Sequence, residues 1–268
     1  SCGSARSRPC CVALWRRRSA VWSRHTPCRR SPERGCALLT SEEMSGQLEV
    51  PIFPLPNVVH FPHTELRLHV FEPRYRQLVQ DLEGMPQERR LIGMVVLKES
   101  GSKPGQPAIY PAGTAGLMVD VEPLPDGRSN IVLEGRFRFV VDREILTPNP
   151  YREASVRRVE EAPFDLSDPG VVTLHRELAD TTRALALEIG ERFPIDADEP
   201  LPDGAADLTI LVNRLCAGLD LPVLHKLQLL SEPLPRRALN VLTVLRGRRR
   251  TLEMLRPYRH LAPGASLN

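Results

Sequence analysis

The segment from Pro51 to Arg76 constrains the fold more than any other part of the chain, because its periodicity changes twice over a short length. It begins with β-forming apolar residues interrupted by three prolines. Proline has no backbone N–H, so it is confined to edge strands, strand starts and bulges. We therefore predict that residues 51–56 form a short edge strand and not a central one.

The rest of this segment predicts a turn, a second strand and a helix. Residues 61–64 (Phe-Pro-His-Thr) are typical of a turn. Leu66, Leu68 and Val70 then alternate with more polar residues, which is the period of a half-buried strand. Pro73 suits the first turn of a helix, where its missing N–H costs nothing, and Gly84 with Pro86 ends that helix. The expected buried face of the helix is Tyr75, Leu78, Val79 and Leu82.

Residues 88–160 have the pattern of strands and turns. Leu91 to Leu97 is a nearly continuous apolar run, as in a buried strand, whereas residues 100–107 are typical of a surface loop. Pro125 to Arg128 separates two apolar stretches and predicts a hairpin, and Tyr151 to Val159 predicts a closing strand. Short strands with a single small helix indicate a compact barrel.

The periodicity becomes helical after a linker-like stretch from Pro163 to Pro169. Four helical segments follow, separated by a loop rich in proline, aspartate and glycine and then by short breaks. We predict an α+β protein: a β-barrel over residues 47–162 and a C-terminal α-helical bundle over residues 168–260. Cys216 lies on an apolar helix face and is expected in the core, which fits a reducing compartment.

Residues 1–43 differ from the remainder in composition. They contain nine arginines and three acidic residues, a net charge of +6, which leaves −3 for the rest of the chain. This leader has no periodic apolar pattern, and we expect it to be disordered. One interpretation is that Met44 is the true start and that 1–43 is translated upstream sequence. The alternative is an organelle transit peptide, since the leader is rich in arginine and serine.

An ordered set of short motifs runs through the predicted barrel. The set consists of Phe53-Pro54-Leu55, Phe61-Pro62, Leu68-His69-Val70-Phe71-Glu72-Pro73-Arg74-Tyr75, Leu91-Ile92-Gly93-Met94, Gly113-Thr114-Ala115, Leu124-Pro125-Asp126-Gly127-Arg128, Glu134-Gly135 and Arg138-Phe139. In order and spacing it resembles the Lon N-terminal (substrate-binding) domain family, over about Val50 to Arg256. His63 stands where that family often has glycine, and Arg67 where it often has proline.

The resemblance implies a PUA-like β-barrel and a module that binds polypeptides without cleaving them. Polypeptide recognition uses exposed apolar surface or a sheet edge. Our candidate binding residues are Phe53, Leu55, Phe61, Phe71, Glu72, Arg74 and Tyr75. A groove between barrel and helices is a second candidate. Two structural alternatives stay open: the apolar residues fill the core, and Glu72, Arg74 and Tyr75 cap the helix and hold it to the barrel.

Catalytic motifs are not found in the sequence. There is no phosphate-binding loop, no Gly-x-Ser-x-Gly and no His-Glu-x-x-His. A Ser–Lys dyad would have to use Lys98, Lys103 or Lys226, and none stands in a serine motif. We expect no catalytic residue and no cofactor. We also expect no metal site, because the leader cysteines lack a Cys-x-x-Cys pair, and His60, His63 and His69 are expected to be surface or packing residues.

Partners follow from the resemblance and from charge. We expect polypeptide substrates, with a separate ATP-dependent protease as a further partner. The arginine run at 246–250 supports a rival RNA-binding function, but a solvated helix face explains it too, and the net charge of −3 after residue 43 argues against nucleic acid. No apolar stretch reaches the length of a membrane span. The expected location is the cytoplasm, or an organelle matrix if the leader is a transit peptide.

Overall fold

The computed structural model describes residues 47–99, 107–161, 167–199 and 205–261. The side chains of residues 205–207 and 259–261 are not described. The predictions for residues 1–43 and for most of the 100–107 loop lie outside the described residues. No helix in the described part of the chain combines the length and apolar character that crossing a membrane requires.

Six strands form one mixed sheet that closes on itself. Its order is β2-β5-β4-β3-β1-β6, and β5 also pairs with β6, so β5, β4, β3, β1 and β6 form a ring. β5 is long enough to pair with β2 through its first residues and with β6 through its last ones. The strands are β1 (Gln47–Leu55), β2 (Glu65–Val70), β3 (Leu91–Leu97), β4 (Ile109–Pro123), β5 (Ser129–Ile145) and β6 (Arg152–Val159).

The proline-rich strand β1 is an internal strand, so the predicted edge position is wrong. It is antiparallel to β6 over Gln47 to Ile52 and parallel to β3 over Ile52 to Leu55. Pro51 therefore lies where only β6 is paired, and Pro54 lies where only β3 is paired. Each proline has a hydrogen-bonded neighbour on one side alone, which is the local condition that proline requires.

The inside of the ring is filled around Phe139. A cluster of buried apolar residues there has members from all five ring strands, including Ile52 of β1, Val95 of β3 and Ala154 of β6. A Cβ atom added at Gly113 would lie 2.6 Å from the Phe139 ring, and one at Gly93 would lie 3.1 Å from it. Small residues at both positions therefore leave space for the phenyl ring.

A single helix, α1 (Pro73–Glu83), packs on the outside of the strands. Its buried residues are Tyr75, Leu78, Val79 and Leu82, as the sequence predicts. They join a second core with residues of β1, β2, β3, β4 and β5. The hydroxyl of Tyr151, just before β6, donates to Asp81 of α1 at 2.9 Å. Burial is the main cause that raises the pKa of Tyr151, and this hydrogen bond adds to it.

Four further helices form the C-terminal bundle. These helices form the third core of the molecule, which contains Cys216, fully buried as expected. Val59, Phe61 and Val96 from the barrel side also belong to this core. Barrel and bundle therefore share a packed interface. The helices are α2 (Pro169–Ile189), α3 (Ala205–Gly218), α4 (Val223–Ser231) and α5 (Leu234–Leu255).

A buried charged junction fastens the bundle to the barrel. Arg138 of β5 donates to the carbonyl oxygens of Leu230 (2.7 Å) and Glu232 (3.0 Å), at the end of α4 where carbonyls lack helical partners. Arg237 of α5 donates to Glu161 at 2.7 Å, and the other oxygen of Glu161 lies 2.9 Å from Arg138 as an ion pair. Burial, with the nearby charge of Arg237, lowers the pKa of Arg138, whereas Glu161 raises it.

Candidate recognition surface

Four of the seven predicted binding residues have almost no exposed surface. Phe53, Leu55, Phe61 and Tyr75 are each at most 3% exposed. The rings of Phe53 and Tyr75 stack with centroids 3.8 Å apart, which holds α1 against β1. Phe61 packs among the residues of the helical bundle. In this conformation these four side chains belong to the core and have no surface to present to a ligand.

The other three predicted residues reach the surface where β2 passes into α1. Phe71 and Glu72 link the two elements, and the carbonyl oxygen of Glu72 accepts the first hydrogen bonds of the helix, from Tyr75 and Arg76 at 3.0 Å. The Glu72 side chain does not cap the helix; it accepts a 2.8 Å hydrogen bond from Arg74. The guanidinium of Arg74, 44% exposed, also lies 4.6 Å from the centroid of the Tyr75 ring.

The β4–β5 hairpin brings further polar groups to this position. His69 Nδ1 lies 2.8 Å from Asn130 Oδ1, and His69 Nε2 lies 3.3 Å from a guanidinium nitrogen of Arg128. Because arginine can only donate, Nε2 accepts and Nδ1 carries the proton in this arrangement. The Phe71 ring lies 5.9 Å from the His69 ring. We call the set of Phe71, Glu72, Arg74, His69 and Arg128 the β2–α1 surface.

The turn of the hairpin is held in place at this surface. Gly127 has a φ of 76°, and the guanidinium of Arg76 occupies the place where a Cβ atom would point. Asp126 accepts hydrogen bonds from the backbone and the side chain of Arg128. The backbone N–H of Arg128 is the main cause that lowers the pKa of Asp126. The β2–α1 surface thus combines a half-buried phenyl ring with oriented donors and acceptors, a chemistry suited to recognition.

The three predicted histidines do not converge. His60 is buried, His63 is an exposed turn residue, and His69 is half-buried on β2. No group of three or more His, Cys, Asp or Glu side chains within residues 47–99, 107–161, 167–199 and 205–261 is arranged to hold a metal ion. Of the lysines, Lys226 donates to the carbonyl oxygen of Ala217 at 2.7 Å, and Lys98 lies over the Tyr110 ring. Lys103 is outside the described residues.

A family comparison decides the class of the protein. The sequence model of the ATP-dependent protease La (LON) substrate-binding domain matches residues 49–245, which include both the barrel and most of the helical bundle. The chain belongs to the Lon substrate-binding domain family.

Relatives and solved structures agree with this family. Lon proteases of Flavobacterium johnsoniae and Anaeromyxobacter dehalogenans are 27% and 28% identical over 80% and 81% of the chain. The chain spans about a quarter of their length, 26% and 25%. A Lon N-terminal domain protein from Xanthomonas campestris is 26% identical, with a TM-score of 0.51 over 73% of this chain and 98% of that one. The N-terminal domain of the Mycobacterium avium complex Lon protease has the same fold, with 14% identity and a TM-score of 0.54 over 74% of this chain and 98% of that one.

The motifs that resemble the Lon family have packing and anchoring roles in this structure. Gly135 allows the backbone of Phe61 to approach, since a Cβ atom there would lie 2.2 Å from the Phe61 carbonyl oxygen. Thr114 donates to the carbonyl oxygen of His60 at 2.7 Å, and Arg138 holds the helical bundle. The proposed groove between barrel and bundle is therefore packed at Phe61 and Arg138.

The sequence does not predict all residues of the β2–α1 surface. From the sequence, His69 groups with His60 and His63 as surface or packing residues, and Arg128 belongs to the hairpin signal and to a family motif. The hairpin signal at 125–128 could have located Arg128 near β2, because a long hairpin places its turn beside the neighbouring edge strand. The pairing of Arg138 and Arg237 with Glu161 carries no local sequence signal, since Glu161 and Arg237 are 76 residues apart.

Proposed function

We propose that the chain is a non-catalytic polypeptide-binding protein that recognises unfolded or degron-bearing segments. It serves protein quality control, or it acts as an adaptor that presents polypeptides to a separate ATP-dependent protease. The observation that carries the proposal is the family match across residues 49–245, which names a substrate-binding domain. The activity of a complete Lon protease is not part of the proposal, because the chain spans about a quarter of such proteins.

The β2–α1 surface is the proposed contact for the bound segment. Phe71 offers a partly exposed aromatic face, and the Glu72–Arg74 ion pair beside it offers both charges. β2 itself pairs only with β5 among the described residues, so its outer edge is suited to an extended chain. An edge binds backbone groups, which every polypeptide has, and Phe71 would add a preference for apolar side chains.

Substitutions on this surface test the proposal. We expect R74E and F71S each to weaken binding of a fluorescently labelled, permanently unfolded polypeptide such as reduced, carboxymethylated α-lactalbumin. We expect the affinity to fall about fivefold to tenfold, which corresponds to about 1 kcal/mol of binding free energy. A loss of this size is typical of a contact at the centre of a small interface. Fluorescence anisotropy measures the affinity.

The matched control is R158E. Arg158 forms a comparable exposed ion pair, with Glu160, and it pairs with the far half of β5. Its charge reversal should leave the affinity unchanged. Since Phe71 is half-buried, thermal unfolding of each variant is recorded, and R74E provides the test if F71S unfolds. Equal affinities for R74E, R158E and the unchanged chain would refute the β2–α1 surface as the contact.

A further inference from the structure

Strand β2 differs from the rest of the sheet because it has a neighbouring strand on one side only. It pairs with β5, whereas each of the five ring strands pairs with at least two others. Within the described part of the chain, the side of β2 that faces away from β5 is therefore a free edge. Such an edge presents backbone N–H and C=O groups that can pair with a further strand.

Backbone hydrogen bonds at the start of β2 show how the two strands are oriented. The N–H of Gly135 on β5 donates to the carbonyl oxygen of Thr64 at 2.9 Å, and the carbonyl oxygen of Gly135 accepts from His63 at 2.8 Å. The backbone of Gly135 therefore points towards β2. Backbone groups along a strand point alternately to its two sides, so residues 133 and 131 point towards β2 as well.

The same alternation identifies the residues of β2 that face the free edge. Leu66 lies opposite residue 133 and Leu68 lies opposite residue 131, so the backbone groups of these two leucines point towards β5. The residues between them point the other way. The backbone N–H and C=O groups at the free edge are therefore those of Glu65, Arg67 and His69.

The side chains at this edge carry opposite charges at alternate positions. Glu65 and Arg67 lie on the outer face of the sheet, and their side chains are 52% and 43% exposed. A guanidinium nitrogen of Arg67 lies 3.5 Å from the Glu65 carboxylate, and an exposed pair of this kind is weak. Both charges can therefore turn to partners on another strand. The opposite face of β2 is apolar, since Leu66 and Leu68 belong to the core.

We propose that two copies of the chain associate through their β2 edges as antiparallel strands, with the two-fold axis at Leu66. A two-fold interface uses the same surface on both copies. In this register Glu65 of each copy lies opposite Arg67 of the other, and the two Leu66 side chains meet on the apolar face. Each Glu–Arg pair exchanges both of its backbone hydrogen bonds, and the opposite charges across the strands stabilise the pairing.

Charge favours this register over the neighbouring ones. An axis at Glu65 or at Arg67 would place identical charges directly opposite each other, which is destabilising. An axis at Leu68 would place Arg67 opposite His69, so neither the acidic nor the basic residue would meet its opposite. The pairing is short, because the chain turns at His63, where φ is 61°. The association is therefore expected to be weak and reversible.

Self-association would cover the edge of β2 to which an extended polypeptide is proposed to bind. If the proposed function holds, polypeptide and a second copy compete for this edge, and the dimer is a resting form. The pairing of two copies does not itself depend on the proposed function. It is measured in the absence of polypeptide, so its failure leaves the binding test with R74E unaffected.

Sedimentation equilibrium of the purified full chain, between about 5 µM and about 500 µM, measures the association. We expect a monomer–dimer equilibrium. R67E and E65R should each weaken it by about tenfold, because each places like charges across the strands. An equimolar mixture of the two variants should associate again, since one copy is then acidic at both positions and the other is basic. R158E, which breaks a comparable exposed ion pair on β6, is the control and should leave the association unchanged.

Thermal unfolding confirms that each variant is folded, as expected for substitutions at exposed positions. A chain that stays monomeric up to the highest concentration would overturn the proposal and show that the charges guard the edge against pairing. A dimer that R67E and E65R leave intact would also overturn it. The same holds if the mixture of the two variants associates no more strongly than either variant alone.

Discussion

At the residue scale, His63 has a backbone conformation that its side chain does not favour. Its φ of 61° makes it the one non-glycine residue with positive φ in the described part of the chain. Its N–H donates to the carbonyl oxygen of Gly135 at 2.8 Å, which holds the turn in this conformation. A left-handed conformation costs an L-residue about 1–2 kcal/mol, and glycine avoids that cost.

We expect H63G to stabilise the protein by about 0.5–1 kcal/mol, because the relief of strain exceeds the greater flexibility of unfolded glycine. Urea unfolding of the purified chain measures the change. H63A is the control: it removes the imidazole and keeps the strained φ, so it should not be stabilising. A loss of stability in H63G would show that the imidazole itself makes a favourable contact.

His60 predicts a pH dependence of stability. Burial lowers its pKa from 6.5 to about 4, and its Nε2 has no hydrogen-bond partner among the described residues. The folded state therefore keeps His60 neutral where the unfolded chain binds a proton, so stability falls as the pH falls from about 6.5 to about 4. Between neutral pH and pH 4.5 the loss from this one residue is about 2–3 kcal/mol.

Comparison with H60Q isolates this effect from the carboxylates that also titrate. The difference in unfolding free energy between the unchanged chain and H60Q should shift by about 2–3 kcal/mol in favour of H60Q as the pH falls to about 4.5. Parallel pH profiles for the unchanged chain and H60Q would contradict the prediction.

At the element scale, periodicity predicted the helices well and the strands less completely. The expected buried face is found in α1, and the four C-terminal helical segments form α2 to α5, because a helix that buries one stripe of residues has a clear period in the sequence. The predicted edge position of β1 is wrong because β1 changes its pairing partner from β6 to β3 at Ile52. Each proline therefore lies where only one neighbouring strand is paired, although the ring itself is closed. The long strands β4 and β5 appeared as shorter segments, since their bulges interrupt a simple alternation.

The charged junction between barrel and bundle provides a test of how these elements are joined. We expect E161Q to destabilise the protein by about 2–3 kcal/mol, because it leaves Arg237, which is fully buried, and Arg138 without a counter-charge. Because Glu161 is partly exposed, the expected loss of stability is smaller than for a fully buried ion pair. Thermal or urea unfolding measures the change in unfolding free energy.

The neighbouring residue supplies the control. Glu160 pairs with Arg158 at the surface, so E160Q should change stability by less than about 0.5 kcal/mol. If E161Q and E160Q have equal effects, the junction does not hold the two parts together by charge.

At the scale of the whole molecule, the sequence predicted the fold class and the family, but only three of the five residues of the β2–α1 surface. Phe53 and Leu55 were candidates for binding because apolar residues beside prolines resemble an exposed edge. They are buried because one face of residues 50–55 packs against α1 and the other faces the inside of the ring. Phe71, Glu72 and Arg74 reach the surface because they lie at the link between β2 and α1. Contacts across the fold, such as His69 with Asn130, depend on pairing that a single sequence does not reveal.

The arginine run at 246–250 lies on α5 and is largely exposed, as a solvated helix face would be. Arg246, Arg249 and Arg256 are exposed, and each pairs with a glutamate, which reduces the positive charge available to a phosphate backbone. The two general functions considered for the chain, polypeptide binding and RNA binding, differ in how they respond to salt. A polypeptide binder should retain its affinity in salt, whereas a binder of phosphates loses affinity as counterions compete.

The most direct test measures binding of the purified full chain to the unfolded polypeptide and, in parallel, to a uridine 20-mer RNA, at about 50 mM and about 300 mM salt. Our account predicts polypeptide binding that changes little between the two salt concentrations, with no measurable RNA binding. RNA binding that falls steeply with salt, without polypeptide binding, would contradict the account and make the arginine run of α5 the functional site.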